Sequence, residues 1–167
     1  MVWDPITRDH HPIPIPSFNY QLFAGAVICD VPRCKHNHCH GPFRVVFIAC
    51  DEDEEDLNRN WVMVYSSSTC KWIHQRALEV NDDVDSHPPV EMRPPLLIKT
   101  SLYFALDEDE VGVLRFNLET NEFFLIDLPP PVLNEDEDLD SALMVTALDG
   151  GFGYAAVEDN RLLIWSL

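Results

Sequence analysis

Basic residues are scarce in this sequence. Its 167 residues include 11 Lys and Arg against 29 Asp and Glu, which gives a formal net charge of −18. Binding to nucleic acid or to an anionic membrane surface depends on clustered Lys and Arg, so we expect neither kind of partner. The length suits one domain, and a hydrophobic content of 46% is too high for a disordered acidic tail.

Long hydrophobic runs are also missing. No stretch approaches the roughly 20 apolar residues that a membrane-spanning helix needs, and the N-terminal residues lack the apolar segment of a secretory signal. The five cysteines are an odd number and lack the regular spacing of a disulfide framework. We therefore expect reduced thiols, and a location in the cytoplasm, in the nucleus or in both.

A helical period is absent as well, since apolar residues do not recur every 3.6 positions over any stretch of roughly ten residues. Instead, a hairpin pattern recurs, in which one aromatic residue precedes a polar turn and another follows it. It reads YSSSTCKW at 65–72 and FNLETNEF at 116–123, and WDPITRDH and RLLIWSL at the two ends of the sequence align with it. The leading aromatics, roughly 50 to 60 residues apart, are Trp3, Tyr65, Phe116 and Trp165.

Two further strands are predicted before each hairpin: FAGAVIC and FRVVFIA, then PLLIK and LYFAL, then ALMVTA and FGYAAV. Four short strands per unit of about 50 residues are typical of β-propeller blades. The sequence thus predicts an all-β partial propeller with little helix and about three four-stranded blades. Their approximate ranges are 23–78, 95–129 and 142–167, with 1–16 as the end of a preceding blade.

The aromatic residues of these hairpins are expected to be structural. Aromatic pairs that face each other across a hairpin stabilise it by roughly 0.2–1 kcal/mol, and they also pack strands and blades together. The residues concerned are Tyr65, Trp72, Phe116, Phe123 and Trp165.

The order and spacing of these motifs resemble the F-box-associated β-propellers of plant F-box proteins, of the type abundant in grasses. The similarity covers nearly the whole chain and rests on VWDPIT, CKHNHCHGPFRVVF, YSSSTCKW, and LYFAL with the following FNLETNEFFLIDLP. The resemblance implies that residues 1–167 form one propeller-type region that recruits protein substrates to an SCF-type ubiquitin ligase. In that family, a separate helical F-box binds a Skp1-type adaptor.

Two features depart from the family pattern. No amphipathic helical segment could form an F-box, so we expect a Skp1-type adaptor to bind only through an F-box that this chain lacks. Propellers usually close with about four to eight blades, whereas about three are predicted here, so we expect a fragment or a truncated gene product. An open arc of blades exposes unpaired strand edges, which favour aggregation or end-to-end association.

Most of the acids fall in the predicted connections. In a four-stranded blade, the loops between second and third strands share one face with the loops that lead to the next blade. This acidic face would bind a protein substrate with a basic segment; the alternative is that the acidic runs are solvated loops. The predicted partner-binding residues are Asp51, Glu52, Asp53, Glu54, Glu55, Asp56, Asp82, Asp83, Asp107, Glu108, Asp109, Glu110, Glu135, Asp136, Glu137 and Asp138.

A Cys- and His-rich insertion occupies about 30–42, between the first two strands of the first blade. Thiolates and imidazoles are the preferred ligands of zinc, and four of them could close a tetrahedral site. The spacing matches no known finger or ribbon, because the nearest cysteine pair is C-x₄-C and Cys39 adjoins His40. That spacing favours a polar surface loop with one or two buried thiols, so we expect no cofactor unless this loop binds zinc. The candidate ligands are Cys29, Cys34, His36, His38, Cys39 and His40.

Catalytic motifs are missing too. The sequence has no G-x-S-x-G elbow, no H-E-x-x-H and no Walker-type glycine loop. The histidines at 10, 11, 74 and 87 have no carboxylate or nucleophile at a diagnostic spacing, so we expect them to be structural or surface residues. The sequence therefore predicts a non-enzymatic interaction module. A zinc-stabilised β scaffold and, less favoured, a propeller-type hydrolase are the alternatives.

Overall fold

The structure, a computed structural model, describes residues 1–4, 7–16, 22–31, 41–52, 58–77, 89–106, 112–127, 143–158 and 161–166. All regular secondary structure in these ranges is β, which confirms the expected all-β character for the described part of the chain. No helix in these ranges has the length and apolar character that crossing a membrane requires.

The strands within these ranges are β1 Val2–Trp3, β2 His10–His11, β3 Leu22–Cys29, β4 Phe43–Glu52, β5 Asn58–Ser66, β6 Lys71–Ala77, β7 Leu96–Ile98, β8 Ser101–Ala105, β9 Gly112–Asn117, β10 Phe123–Asp127, β11 Leu143–Thr146, β12 Phe152–Glu158 and β13 Arg161–Ser166. They include all the strands predicted from the apolar runs and the hairpin pattern. Short apolar stretches bounded by Ser, Asn, Asp, Thr or Gly become strands because those residues tolerate turn geometry. Lys99 and Asn121, for example, adopt positive φ in their turns.

These strands form four antiparallel sheets in the described residues, and each sheet follows the chain order. Sheet 1 is β1–β2, sheet 2 is β3–β4–β5–β6, sheet 3 is β7–β8–β9–β10 and sheet 4 is β11–β12–β13. Each sheet is therefore an up-and-down meander with two open edges. The predicted aromatic pairs lie opposite each other in two hairpins: the rings of Tyr65 and Trp72 are 5.5 Å apart, and those of Phe116 and Phe123 are 4.5 Å apart.

Sheets 2 and 3 pack face to face. Because side chains alternate between the two faces of a strand, Val46 and Ile48 of β4 lie on one face, together with Val62 and Val64 of β5. These four residues are buried in one core cluster with large apolar residues of sheet 3. The residues from sheet 3 are Leu102, Phe104, Leu114 and Phe116.

Sheet 4 covers the other face of sheet 3. Tyr103 of β8 and Val113 of β9 alternate with the residues that face sheet 2, and they are buried in a second core cluster. Phe152 and Tyr154 of β12 complete that cluster, and Trp165 of β13 packs against it. Sheet 3 is thus covered on both faces by its neighbours in the chain.

Sheet 1 lies on the remaining face of sheet 2. The Nε2 atom of His11 is 2.8 Å from the hydroxyl oxygen of the buried Tyr65, and the His11 ring meets Phe43 edge to face. The indole N–H of Trp72 donates to the carbonyl oxygen of Pro14 at 3.0 Å. The four sheets are therefore stacked in the order in which the chain makes them.

The stack has one orientation throughout. Tyr65, Phe116 and Trp165, the leading aromatics of sheets 2, 3 and 4, each point toward the preceding sheet. We call the face with the leading aromatic the front face and the opposite one the back face. Each back face lies toward the following sheet, as the burial of Val64 and Val113 in the two clusters shows.

Candidate functional site

Each sheet has two ends, where its strands begin and finish, and these two ends carry different connections. In an antiparallel meander, successive connections alternate between the two ends of the sheet. The guanidinium of Arg44, at the start of β4, donates from Nη1 to the carbonyl oxygen of Leu118, in the β9–β10 turn, at 3.3 Å. The short turns of sheets 2 and 3 therefore lie at the same end, which we call the turn end. Ranges there include 67–70 of sheet 2 and 99–100 and 118–122 of sheet 3.

The opposite end, which we call the loop end, is where β4 of sheet 2 and β8 of sheet 3 finish, and β12 finishes at the corresponding end of sheet 4. The last residues of these strands are Glu52, Ala105 and Glu158. The strands β6 and β10, which lead to the next sheet, finish there too. The connections that carry the predicted acidic residues all leave from this end of their own sheet.

Most of the predicted acidic residues lie outside the described residues. These are Asp53, Glu54, Glu55, Asp56, Asp82, Asp83, Asp107, Glu108, Asp109, Glu110, Glu135, Asp136, Glu137 and Asp138. Asp51 and Glu52 are described, and their placement in a loop was wrong. They are the last residues of β4, where Asp51 lies opposite Arg59 of β5. The backbone pairing of the two strands extends to Glu52, which lies opposite Asn58.

The predicted zinc ligands also fall largely outside the described residues, since Cys34, His36, His38, Cys39 and His40 lie in 32–40. Cys29 is the half-buried last residue of β3, and its Sγ accepts a hydrogen bond from the N–H of Val31 at 3.4 Å. The described part of the chain holds no group of three or more His, Cys, Asp or Glu arranged for a metal ion. The zinc site stays a prediction.

A cavity of about 480 Å³ lies between sheet 1 and the beginning of sheet 2. Ligand pockets commonly have volumes of roughly 300–1,000 Å³. Its apolar lining includes Val2 and Phe43, whereas Asp4, Asp9 and His10 supply polar lining. The cavity also touches Cys29 and Gly41, which flank the Cys- and His-rich insertion. The arrangement can accept a side chain or small molecule with both apolar and polar groups.

His11, which lines the cavity, also contacts Tyr65 of sheet 2. Burial raises the pKa of the Tyr65 hydroxyl, and its hydrogen bond with the thiol of Cys70 raises the pKa further. His11 is half-buried while His10 is exposed, as the alternation of a strand requires. The sequence placed both histidines among structural or surface residues, and it carried no signal that selects His11 as the partner of Tyr65.

Among the described residues, Cys29, Cys50 and Cys70 are free thiols. Comparison of the chain with protein-family models, curated proteins and solved structures finds no match. Functional interpretation therefore rests on the stack of sheets, the cavity and the loop end.

Proposed function

We propose that this chain is a run of β-propeller-type blades and that it acts as a protein-interaction module. Its role would be to recruit substrates as part of a plant SCF-type ubiquitin ligase receptor. The observation that carries this proposal is the single orientation of sheets 2, 3 and 4, each with its leading aromatic toward the preceding sheet. Repetition of one four-stranded unit about an axis produces this relation between neighbours.

The proposed recognition surface is the loop end. Support comes from the strand ends at Glu52, Ala105 and Glu158, from which the acid-rich connections 53–57 and 107–111 depart. Basic residues occur at both ends, since Arg59 and Arg161 lie where β5 and β13 begin. The turn end has charges of both signs and no run of acids among its described residues. Its described charged residues include Asp4, Arg8, Asp9, Arg44, Lys71, Lys99, Glu119 and Glu122.

The partner would be a protein with a basic segment. A surface rich in one sign of charge steers an oppositely charged partner and accelerates its association, and salt weakens that effect. The module would bind without catalysing a reaction. Attachment to a Skp1-type adaptor would require an F-box, which this sequence does not contain.

The test uses three immobilised forms of the chain in plant extract. They are the wild type, a loop-end variant with Asp→Asn and Glu→Gln at 82–83, 107–110 and 135–138, and a turn-end control. The control carries Asp9→Asn, Glu119→Gln and Glu122→Gln, three exposed acids. A protein captured by the wild type is then purified, and its Kd is measured by calorimetry.

We expect the loop-end variant to bind that protein at least about tenfold more weakly, and the control to bind like the wild type. Equal affinity for all three forms would contradict the assignment of the loop end. Failure of the wild type to enrich any protein over an unrelated bait of similar charge would contradict the recruiting function itself.

A further inference from the structure

The back face of sheet 4 corresponds to the back faces of sheets 2 and 3, and those two faces are buried inside the stack. Val64 lies one residue before the leading aromatic Tyr65, and it is 1% exposed because sheet 3 covers it. Val113, on the back face of sheet 3, is 0% exposed because sheet 4 covers it. Ile164 lies one residue before the leading aromatic Trp165 and is 63% exposed.

The exposed back face of sheet 4 is apolar over all three strands. Leu143, Ala155 and Ile164 are aligned across β11, β12 and β13, and Val157 lies opposite Leu162. Leu162 is 65% exposed and Val157 is 57% exposed. Isolated exposed apolar residues are ordinary, but a continuous apolar sheet face marks an interaction surface.

Sheet 1, which lies farthest from sheet 4 in the stack, has an exposed front face. Trp3 is the leading aromatic of sheet 1, and it alternates with Val2 on the side away from sheet 2. Its side chain is 59% exposed. Phe23 and Val27, on the front face of sheet 2, are also exposed, since they alternate with the residues that face sheet 3.

We propose that the back face of sheet 4 binds the front end of a second copy of this chain. Inside the molecule, back faces are covered by front faces: sheet 3 covers sheet 2, and sheet 4 covers sheet 3. Among the front faces of the four sheets, that of sheet 1 carries Trp3 and is exposed. The contact would continue an interface that the chain already makes twice, and the copies would associate head to tail. The inference rests on the stacking of the sheets and does not depend on the partner proposed above.

Salt should strengthen this association. Each copy has a formal net charge of −18, so two copies repel each other. The apolar face itself carries no charge at Leu143, Val157, Leu162 or Ile164, so screening reduces the repulsion without weakening the contact. Binding of a basic partner at the loop end would respond to salt in the opposite direction.

The experiment is sedimentation velocity over a range of protein concentrations, at low and at moderate salt. The variant Leu162→Glu places an unpaired charge in the proposed contact. Leu148→Glu, at a fully exposed leucine in the β11–β12 turn, adds the same charge to the same sheet outside the face. We expect the wild type and Leu148→Glu to associate as concentration and salt rise, and Leu162→Glu to associate at least about tenfold more weakly.

A mixture distinguishes head-to-tail contact from other arrangements. Trp3→Glu damages the front end, so each of the two variants alone should associate at least about tenfold more weakly than the wild type and stay monomeric at concentrations where the wild type first associates. Mixed together, Leu162→Glu supplies an intact front and Trp3→Glu an intact back, so a one-to-one dimer should form and no larger species. Heterologous contacts behave in this way because each copy offers two different surfaces.

Several results would overturn the proposal. They are a wild type that stays monomeric at every concentration and salt, association of Leu162→Glu equal to that of the wild type, and normal association of Trp3→Glu, which would indicate back-to-back contact. Circular dichroism and urea unfolding of each variant verify that the sheets remain folded. If Leu162→Glu unfolds, it is replaced by Ile164→Ser, at a second exposed position of the same face.

Discussion

The rings of Tyr103 and Phe152 are stacked, with centroids 4.6 Å apart and ring planes inclined by 10°. They belong to different sheets, since Tyr103 lies on β8 of sheet 3 and Phe152 on β12 of sheet 4. Both side chains are buried. This contact joins the back face of one sheet to the front face of the next and fixes how sheet 4 lies on the stack.

Truncation of Phe152 should therefore destabilise the protein strongly. Phe→Ala substitutions in cores lower the free energy of unfolding by about 3–5 kcal/mol, because they remove apolar contacts and leave a cavity. We expect a loss of that size for Phe152→Ala in equilibrium urea unfolding. Phe124→Ala, at an exposed phenylalanine of β10, is the matched control and should cost less than about 1 kcal/mol. Equal losses for the two variants would contradict the stacking of sheet 4 on sheet 3.

His11→Ala should loosen the N-terminal residues from sheet 2. The substitution removes one of the two side-chain partners of the Tyr65 hydroxyl, and such a bond contributes about 1 kcal/mol. Local opening should become roughly fivefold more frequent, so trypsin should cleave after Arg8 faster by a similar factor. His10→Ala changes an exposed neighbour and should leave the cleavage rate unchanged. Identical rates for both variants would show that His11 does not anchor sheet 1.

Alkaline pH should destabilise the fold through Tyr154. Burial raises the pKa of its hydroxyl, Glu91 raises it further, and Arg93 partly opposes both. Above a pH of about 10, the unfolded chain ionises this tyrosine while the folded chain keeps it protonated. The folded state then binds more protons, so the free energy of unfolding falls as pH rises. Tm measured from pH 8 to pH 11 should fall less steeply in Tyr154→Phe than in the wild type, and parallel curves would contradict the assignment.

The Cys- and His-rich insertion should not require zinc. Its cysteines have C-x₄-C spacing and Cys39 adjoins His40, a pattern that does not suit one tetrahedral ion. Elemental analysis of the purified protein should find zinc well below one ion per chain, and a chelator should leave Tm unchanged. Stoichiometric zinc together with a lower Tm after chelation would establish the zinc-stabilised scaffold instead.

The strands could be predicted from the sequence because their signals are local. Apolar runs such as FRVVFIA and the polar turns between Tyr65 and Trp72 specify strands and hairpins through neighbouring residues alone. The same pattern indicated that Tyr65 and Trp72 face each other, which the structure confirms.

Relations between distant residues could not be predicted in this way. His11 and Tyr65 are 54 positions apart, and nothing in either segment identifies the other as its partner. The cavity beside them depends on how sheet 1 lies against sheet 2. The length of β4 was also misjudged, because acidic residues suggest a loop, whereas the ladder continues through the pairs Asp51–Arg59 and Glu52–Asn58.

The salt dependence of the affinity between the wild-type chain and its captured protein partner tests the recruiting role at the loop end most directly. From about 0.05 M to about 0.5 M salt, screening should weaken the binding at least about tenfold, since the interaction is between an acidic surface and a basic segment. Over the same range, self-association through sheet 4 should become stronger. An affinity for the partner that does not change with salt would contradict the account.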